Sequence, residues 1–175
     1  MSGSEPEDLR VRIPPGTLKI SIMKSQFSAG GVVVKGQDVL LCQHSQHHGW
    51  VFPKGLINPS TSSGRAESKE QAALREVKEE TGIIGKITKP LTPVTYWFVM
   101  EGDPSTGSGQ EKIEKTVYYF LMEYIGGDTK KHDHEMENVE WLPREKVKER
   151  LTYKSDQKVW EVALRAINRR LKAQK

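Results

Sequence analysis

Residues 67–83 read ESKEQAALREVKEETGI. Ala, Leu, Glu, Lys, Gln and Arg fill the stretch, all strong helix formers, and Gly82 supplies a stop. This predicts a helix over 67–81, with Glu67 in the first turn, where the helix dipole favours an acid. Glu76 lies three residues before Glu79 and four before Glu80, so the three carboxylates share one face. Like charges repel there, and a bound cation relieves the cost. Clusters of oxygen donors suit hard ions such as Mg²⁺ or Mn²⁺. Ala72, Ala73, Leu74 and Val77 form an apolar side that can dock on a sheet. Arg75 stands beside the acids, suited to a two-pronged grip on a carboxylate. The competing reading is a solvated helix with Lys69, Lys78 and Glu70 as surface ion pairs. Three acids on one face, with no basic residue between them, count against it.

Outward from this helix, the chain alternates strands and helices. Before it lies KGLINPSTSSGRA (54–66), polar and rich in turn formers. FSAGGVVVKGQDVLLCQHS reads as two strands, Ala29–Val34 and Asp38–Gln43, joined by a turn at 35–37. The Gly30–Gly31 pair implies close backbone approach or a bulge. GWVFPKG is a short apolar strand stopped by Pro53 and Gly55. After the helix, IIGKITKPLTPVTYWFVM gives one or two strands broken by Pro90 and Pro93, and EGDPSTGSGQEK reads as a mobile hairpin tip. KTVYYFLMEY is the strongest strand pattern, aromatic and β-branched. A charged loop, GGDTKKHDHEMENVE, leads to the strand VEWL. Two helices close the chain, the last with Val159, Val162, Ala163, Ala166, Ile167 and Leu171 on one stripe. Residues 1–24, with Pro14–Pro15 and mixed charge, read as a flexible or loosely docked arm with a short strand at LKISIM. Residues 25–175 read as one α/β domain with a mixed sheet covered on both faces.

The bulk numbers agree with one soluble domain. The chain has 175 residues and a mean hydropathy of −0.62, and no run approaches the roughly 18–20 apolar residues of a membrane span. The polar, acid-bearing start does not read as a secretory signal. Cys42 is the one cysteine, so no internal disulfide forms, which fits a reducing, cytoplasmic setting. The net charge of +4 suits a polyanionic substrate but also an ordinary lysine-rich surface.

Taken position by position, ESKEQAALREVKEETGI resembles the signature of the Nudix hydrolases, G-x5-E-x7-R-E-U-x-E-E-x-G-U with U aliphatic. Glu67, Arg75, Glu76, Val77, Glu79, Glu80, Gly82 and Ile83 match in identity and spacing. AGGVVV, WVFPKG and VEWLP stand where that family places similar segments, so the resemblance covers roughly residues 26–170. It implies an α/β/α sandwich and metal-dependent cleavage of a diphosphate linked to another group. It places Mg²⁺, with Mn²⁺ as the alternative, on Glu76, Glu79 and Glu80, with the Gly55 carbonyl and a loop acid, Glu135, as further ligands. Glu76, Arg75 and Glu79 carry the catalytic roles, with Glu76 the expected base and Glu67 a brace. The chain departs from the signature at its start. Eleven residues separate Gly55 from Glu67 instead of five, which implies six inserted residues within INPSTSSGRA.

The substrate reading comes from the same resemblance. EKTVYYFLMEY, His134–Glu135, the Trp-Leu strand and LTYKSDQKVWEVAL look like the diadenosine tetraphosphate (Ap4A) hydrolase branch, which implies Ap4A giving ATP and AMP. Lys54 and Lys115 are expected at the polyphosphate, with Tyr118 or Tyr119 beside it; strand alternation sends one of these tyrosines to the core. Tyr96, Trp97 and Tyr153 are candidates to stack on adenine, with core packing the competing reading. His48 is an outside candidate for phosphate contact, and His44, His47, His132 and His134 read as loop residues. Other Nudix activities stay open: nucleoside triphosphate, ADP-ribose, RNA 5′ pyrophosphate or inositol pyrophosphate cleavage. A non-catalytic binding module fits poorly, because all three metal carboxylates are present. Nucleic acid is not expected as a partner except as an RNA 5′ end. Oligomeric state is left open.

Overall fold

Strand alternation builds a central layer with two different faces. The computed structural model describes residues 24–101 and 110–173. The expected arm, apart from Lys24, and most of the expected hairpin tip lie outside these residues. β1 (Lys24–Lys35) and β7 (Glu111–Gly127) run parallel at the centre, in register from Lys24 opposite Ile113 to Val34 opposite Glu123. β2 (Asp38–His44), β3 (Trp50–Val51) and β5 (Ile83–Pro90) complete the order β3-β2-β1-β7-β5. β4 (Lys54–Leu56) pairs with β1, β6 (Val94–Met100) with β7, and β8 (Met136–Pro143) with β2. The two prolines do split residues 83–100 into two strands, β5 and β6, which both pair with β7.

Because side chains alternate along a strand, neighbouring residues supply two separate cores. Val33, Leu40, Phe120 and Met122 pack with Ala72, Ala73 and Val77 of α1 (Lys69–Thr81). Val32, Leu41, Tyr119 and Leu121 pack instead with Val147 of α2 (Arg144–Arg150) and with Val159, Trp160, Ala163 and Ile167 of α3 (Lys154–Ala173). The result is helix on sheet on helix, the α/β/α sandwich expected. The Gly30–Gly31 pair marks close approach: a Cβ on Gly30 would sit 2.2 Å from the Pro53 carbonyl oxygen.

Three local expectations shift. Helix α1 starts at Lys69, not Glu67, because Ser68 caps it. The Ser68 hydroxyl accepts from the Gln71 amide, and the Gln71 side chain accepts from the Ser68 amide. Glu67 therefore lies in the loop before the cap. Leu74 and Leu171, expected to face a core, are exposed. Leu74 faces away from the sheet between the buried Ala73 and Val77, and Leu171 lies in the last turn of α3, beyond the packed stripe.

Candidate active site

The active-site helix gathers its acids around one arginine. Arg75 Nε and Nη2 donate to the two oxygens of Glu67 at 2.8 and 2.9 Å. Nη1 donates to Glu76 Oε1 at 2.6 Å and to Glu79 Oε2 at 3.1 Å, and Nη2 also reaches the Leu56 carbonyl at 3.0 Å. A basic group thus does stand among the acids, contrary to the reading of an uninterrupted acidic face: Arg75 bends back across its own helix. Its pKa is raised, first by the Glu67 hydrogen bonds and then by Glu76.

Glu67 also pinches the inserted loop. Its carboxylate accepts from the Asn58 amide and its own amide donates to the Asn58 carbonyl, both at 3.0 Å. Inside that clasp, the Thr61 amide donates to the Arg65 carbonyl and the Gly64 amide to the Thr61 carbonyl. The extra residues form a self-closed bulge. Asn58 lines the cavity described below, and residues 59–66 do not. Gly55 keeps its place despite the longer spacing: a Cβ there would fall 2.1 Å from the Glu76 carboxyl carbon. Only glycine brings backbone this close to that carboxylate.

The acids open into a cavity of about 1100 Å³. Lys54, Gly55, Arg75, Glu76, Glu79, Glu80, Tyr96, Lys115, Tyr119, Glu135 and Tyr153 all line it, so most residues singled out from the sequence meet in one place. Glu80 is 4% exposed, and its Oε2 accepts from the Lys54 amide at 2.8 Å. Burial, reinforced by Glu76 and Glu135, pushes its pKa up to about 8. Glu76 is raised as well, first by burial and then by Glu79 and Glu135, against the pull of Arg75. Burial opposes the charge on Lys54, but Tyr96, Asp156 and Glu80 outweigh it and raise the lysine's pKa. Lys115 goes the other way: burial and the nearby Lys54 lower it.

Three expected residues are placed elsewhere. Tyr118 projects to the α1 side of the sheet, where it stacks near Phe27 at 6.5 Å and Lys69 Nζ lies 3.8 Å from its ring centre. Alternation along β7 gives the cavity face to Tyr119, whose hydroxyl donates to Asp156 at 3.3 Å. His48 takes a left-handed backbone (φ 56°) and its Nδ1 lies 2.9 Å from Glu137, away from the cavity wall. Trp97 lies on the outer side of β6, 45% exposed, under Lys112.

Sequence reasoning read His44 and His47 as loop residues and did not single out Phe98 or Asp156, yet all four line the cavity. His44 and His47 stack at 4.3 Å, and His47 meets the edge of Tyr153. The His47 Nδ1 accepts from the Gly49 amide at 3.1 Å and lies 3.0 Å from the Tyr153 hydroxyl. Burial, then His44 and Lys54, lower its pKa. Phe98 joins Tyr96 on the β6 wall, ring centres 6.2 Å apart. Asp156, in the first turn of α3, is 3% exposed. Its one sequence signal was an acid at a helix start, where solvated acids are commonplace.

The donors that could hold a metal are the carboxylates of Glu76, Glu79, Glu80 and Glu135, with the Gly55 backbone against Glu76. Among the described residues no three acidic, histidine or cysteine side chains converge on one point, and Arg75 holds Glu76 and Glu79. All the donors are oxygens, and their negative charges help to raise the pKa of Glu76 and of Glu80. That donor chemistry fits a hard divalent cation.

The family description NUDIX domain matches residues 24–162. A Mycobacterium tuberculosis protein bearing the name mutator protein MutT4 is 34% identical over 148 residues, 79% of this chain and 54% of that protein. The RNA pyrophosphohydrolase of Shigella boydii is 31% identical over 108 residues, 58% of this chain and 57% of that one. The chain thus spans about half the length of these curated relatives. Among solved structures, a Caenorhabditis elegans Ap4A hydrolase binary complex aligns with a TM-score of 0.61 at 25% identity, covering 82% of this chain and 98% of that one. A NUDIX hydrolase from Nitrosomonas europaea aligns with a TM-score of 0.60 at 15% identity, covering 82% and 90%, a likeness of fold. With the carboxylate helix, the sandwich and the match over residues 24–162 in agreement, the chain belongs to the Nudix hydrolase family.

Proposed function

We propose that the cavity hydrolyses a phosphoanhydride bond in a nucleoside diphosphate linked to another group, with Ap4A, cleaved to ATP and AMP, as the preferred substrate. One observation carries the reading: the acid cluster, Lys54 and Lys115 share a single cavity with two aromatic groups from different elements. His47 with Tyr153 and Tyr96 with Phe98 offer faces for two bases, and Lys54 and Lys115 on the same wall offer charge for a polyphosphate. Nudix hydrolases use divalent metal ions, and the residues that would hold one here are Glu76, Glu79, Glu80, Glu135 and Gly55. Bound there, such an ion offsets phosphate charge and acidifies the attacking water.

The chain's own residues do the rest. Arg75 occupies Glu76 Oε1 and leaves Oε2 free of the guanidinium, so Oε2 is the atom placed to take a proton from water. Raised pKa at Glu76 makes it a better proton acceptor than an ordinary carboxylate. Water oxygen bonds to phosphorus, the bridging P–O bond breaks, and the leaving phosphate departs with its electron pair. Lys54 and Lys115 hold the charge that collects on the phosphates.

A second reading has its own support: the likeness to a mutator protein and to an RNA pyrophosphohydrolase favours a nucleoside triphosphate or an RNA 5′ pyrophosphate in the same cavity. Product analysis on an equimolar panel of Ap4A, 8-oxo-dGTP, ADP-ribose, inositol pyrophosphate and triphosphorylated RNA decides between them. The first reading expects Ap4A to disappear first, giving ATP and AMP. Rapid loss of another member with Ap4A untouched assigns the substrate elsewhere.

A further inference from the structure

Glu135 is the acid that does not come from α1, so something must fix the loop that carries it. Besides the local contact of His132 Nδ1 with the Asp133 carbonyl at 2.7 Å, three hydrogen bonds at Asp133 and Glu135 tie that loop down. The Asp133 amide donates to the Glu79 carbonyl at 2.9 Å, in the last turn of α1, where helix carbonyls lack partners of their own. Asp133 Oδ1 accepts from the Glu135 amide at 3.0 Å. The Glu135 carbonyl accepts from the Ser45 amide at 2.9 Å, at the end of β2. Asp133 and Glu135 both line the cavity. Glu135 is close enough to raise the pKa of both Glu76 and Glu80.

We infer that Asp133 is a positioning residue: it ties the backbone of Glu79 to the backbone of Glu135 and so sets the loop acid at a fixed offset from the helix acids. Its carboxylate acts by accepting one amide hydrogen and not by its charge. The inference rests on the metal-site reading above and deepens it. An outer partner that orients a ligand is worth 10- to 100-fold in metal affinity.

The test is Mn²⁺ affinity of the full chain, by titration calorimetry, for wild type, D133A, D133N, E135Q and D133A/E135Q. Exchange of the Glu135 amide is measured alongside, without metal. D133A is expected to weaken Mn²⁺ by about 10-fold, to match E135Q, and to add nothing to it in the double variant. It also speeds exchange at the Glu135 amide. D133N keeps an oxygen for the same hydrogen bond and is expected to retain wild-type affinity and protection. Equal loss in D133N and D133A overturns the inference, because it makes the Asp133 charge the active property. So does additivity in the double variant, or Mn²⁺ affinity unaltered in D133A. If the substrate panel shows no cleavage while this pattern holds, the functional reading fails and the positioning role stands.

Discussion

At the scale of single residues, Arg75 decides how the acids are presented. It grips Glu67, Glu76 and Glu79 at once, so its guanidinium links the loop before the helix to the face that carries the chemistry. The sequence suggested a two-pronged grip on a carboxylate, and it is made on Glu67; that the same guanidinium also reaches Glu76 and Glu79 was not legible, since a side chain's path across its helix is set by packing. Asp156 shows the reverse case, a carboxylate whose role became visible only in three dimensions. Burial raises its pKa above the ordinary 3.8, against the pull of Lys54 and its hydrogen bonds from Phe52 and Tyr119. A carboxylate raised in the folded state favours folding below its unfolded pKa. That contribution is lost as the pH rises through the folded value. D156N, which cannot ionise, is therefore predicted to gain thermal stability relative to wild type as the pH is raised from 4 to 8. A constant difference in melting temperature across that range contradicts the assignment.

At the scale of elements, α1 was legible because its propensity, capping and signature coincide. Its start was misjudged by two residues, since the Ser68–Gln71 box competes with an acid in the first turn. Ser68→Ala is predicted to cost about 1 kcal/mol in denaturant unfolding; no change in stability contradicts the capping role. The tyrosine pair on β7 was legible only as a choice. Alternation guarantees that one of Tyr118 and Tyr119 faces each core, and only the register with β1 says which. The inserted loop was visible as a spacing anomaly, yet its conformation was not, because the Asn58–Glu67 clasp depends on where Arg75 holds Glu67. With the loop closed on itself and residues 59–66 off the cavity wall, deleting 59–64 is predicted to leave the order of preference on the substrate panel unchanged. Reordered preferences show instead that the insertion shapes the site.

At the scale of the whole molecule, two cores on opposite faces of one sheet hold the site at a seam. α1 supplies the acids from one side, while β6, β7 and the start of α3 supply aromatic and basic walls from the other. The layers were readable from strand alternation and the helical stripe, but the cavity was not, because its lining comes from segments up to about a hundred residues apart in sequence, as in the His47–Tyr153 contact. Glu76, at this seam, is the residue proposed to carry a metal-dependent phosphoanhydride hydrolysis. Its most direct test is turnover of Ap4A with Mg²⁺ by wild type and by Glu76→Gln of matched melting temperature. ATP and AMP are expected from wild type, and a rate lower by on the order of 10²- to 10³-fold from the variant. Undiminished turnover in Glu76→Gln contradicts that role.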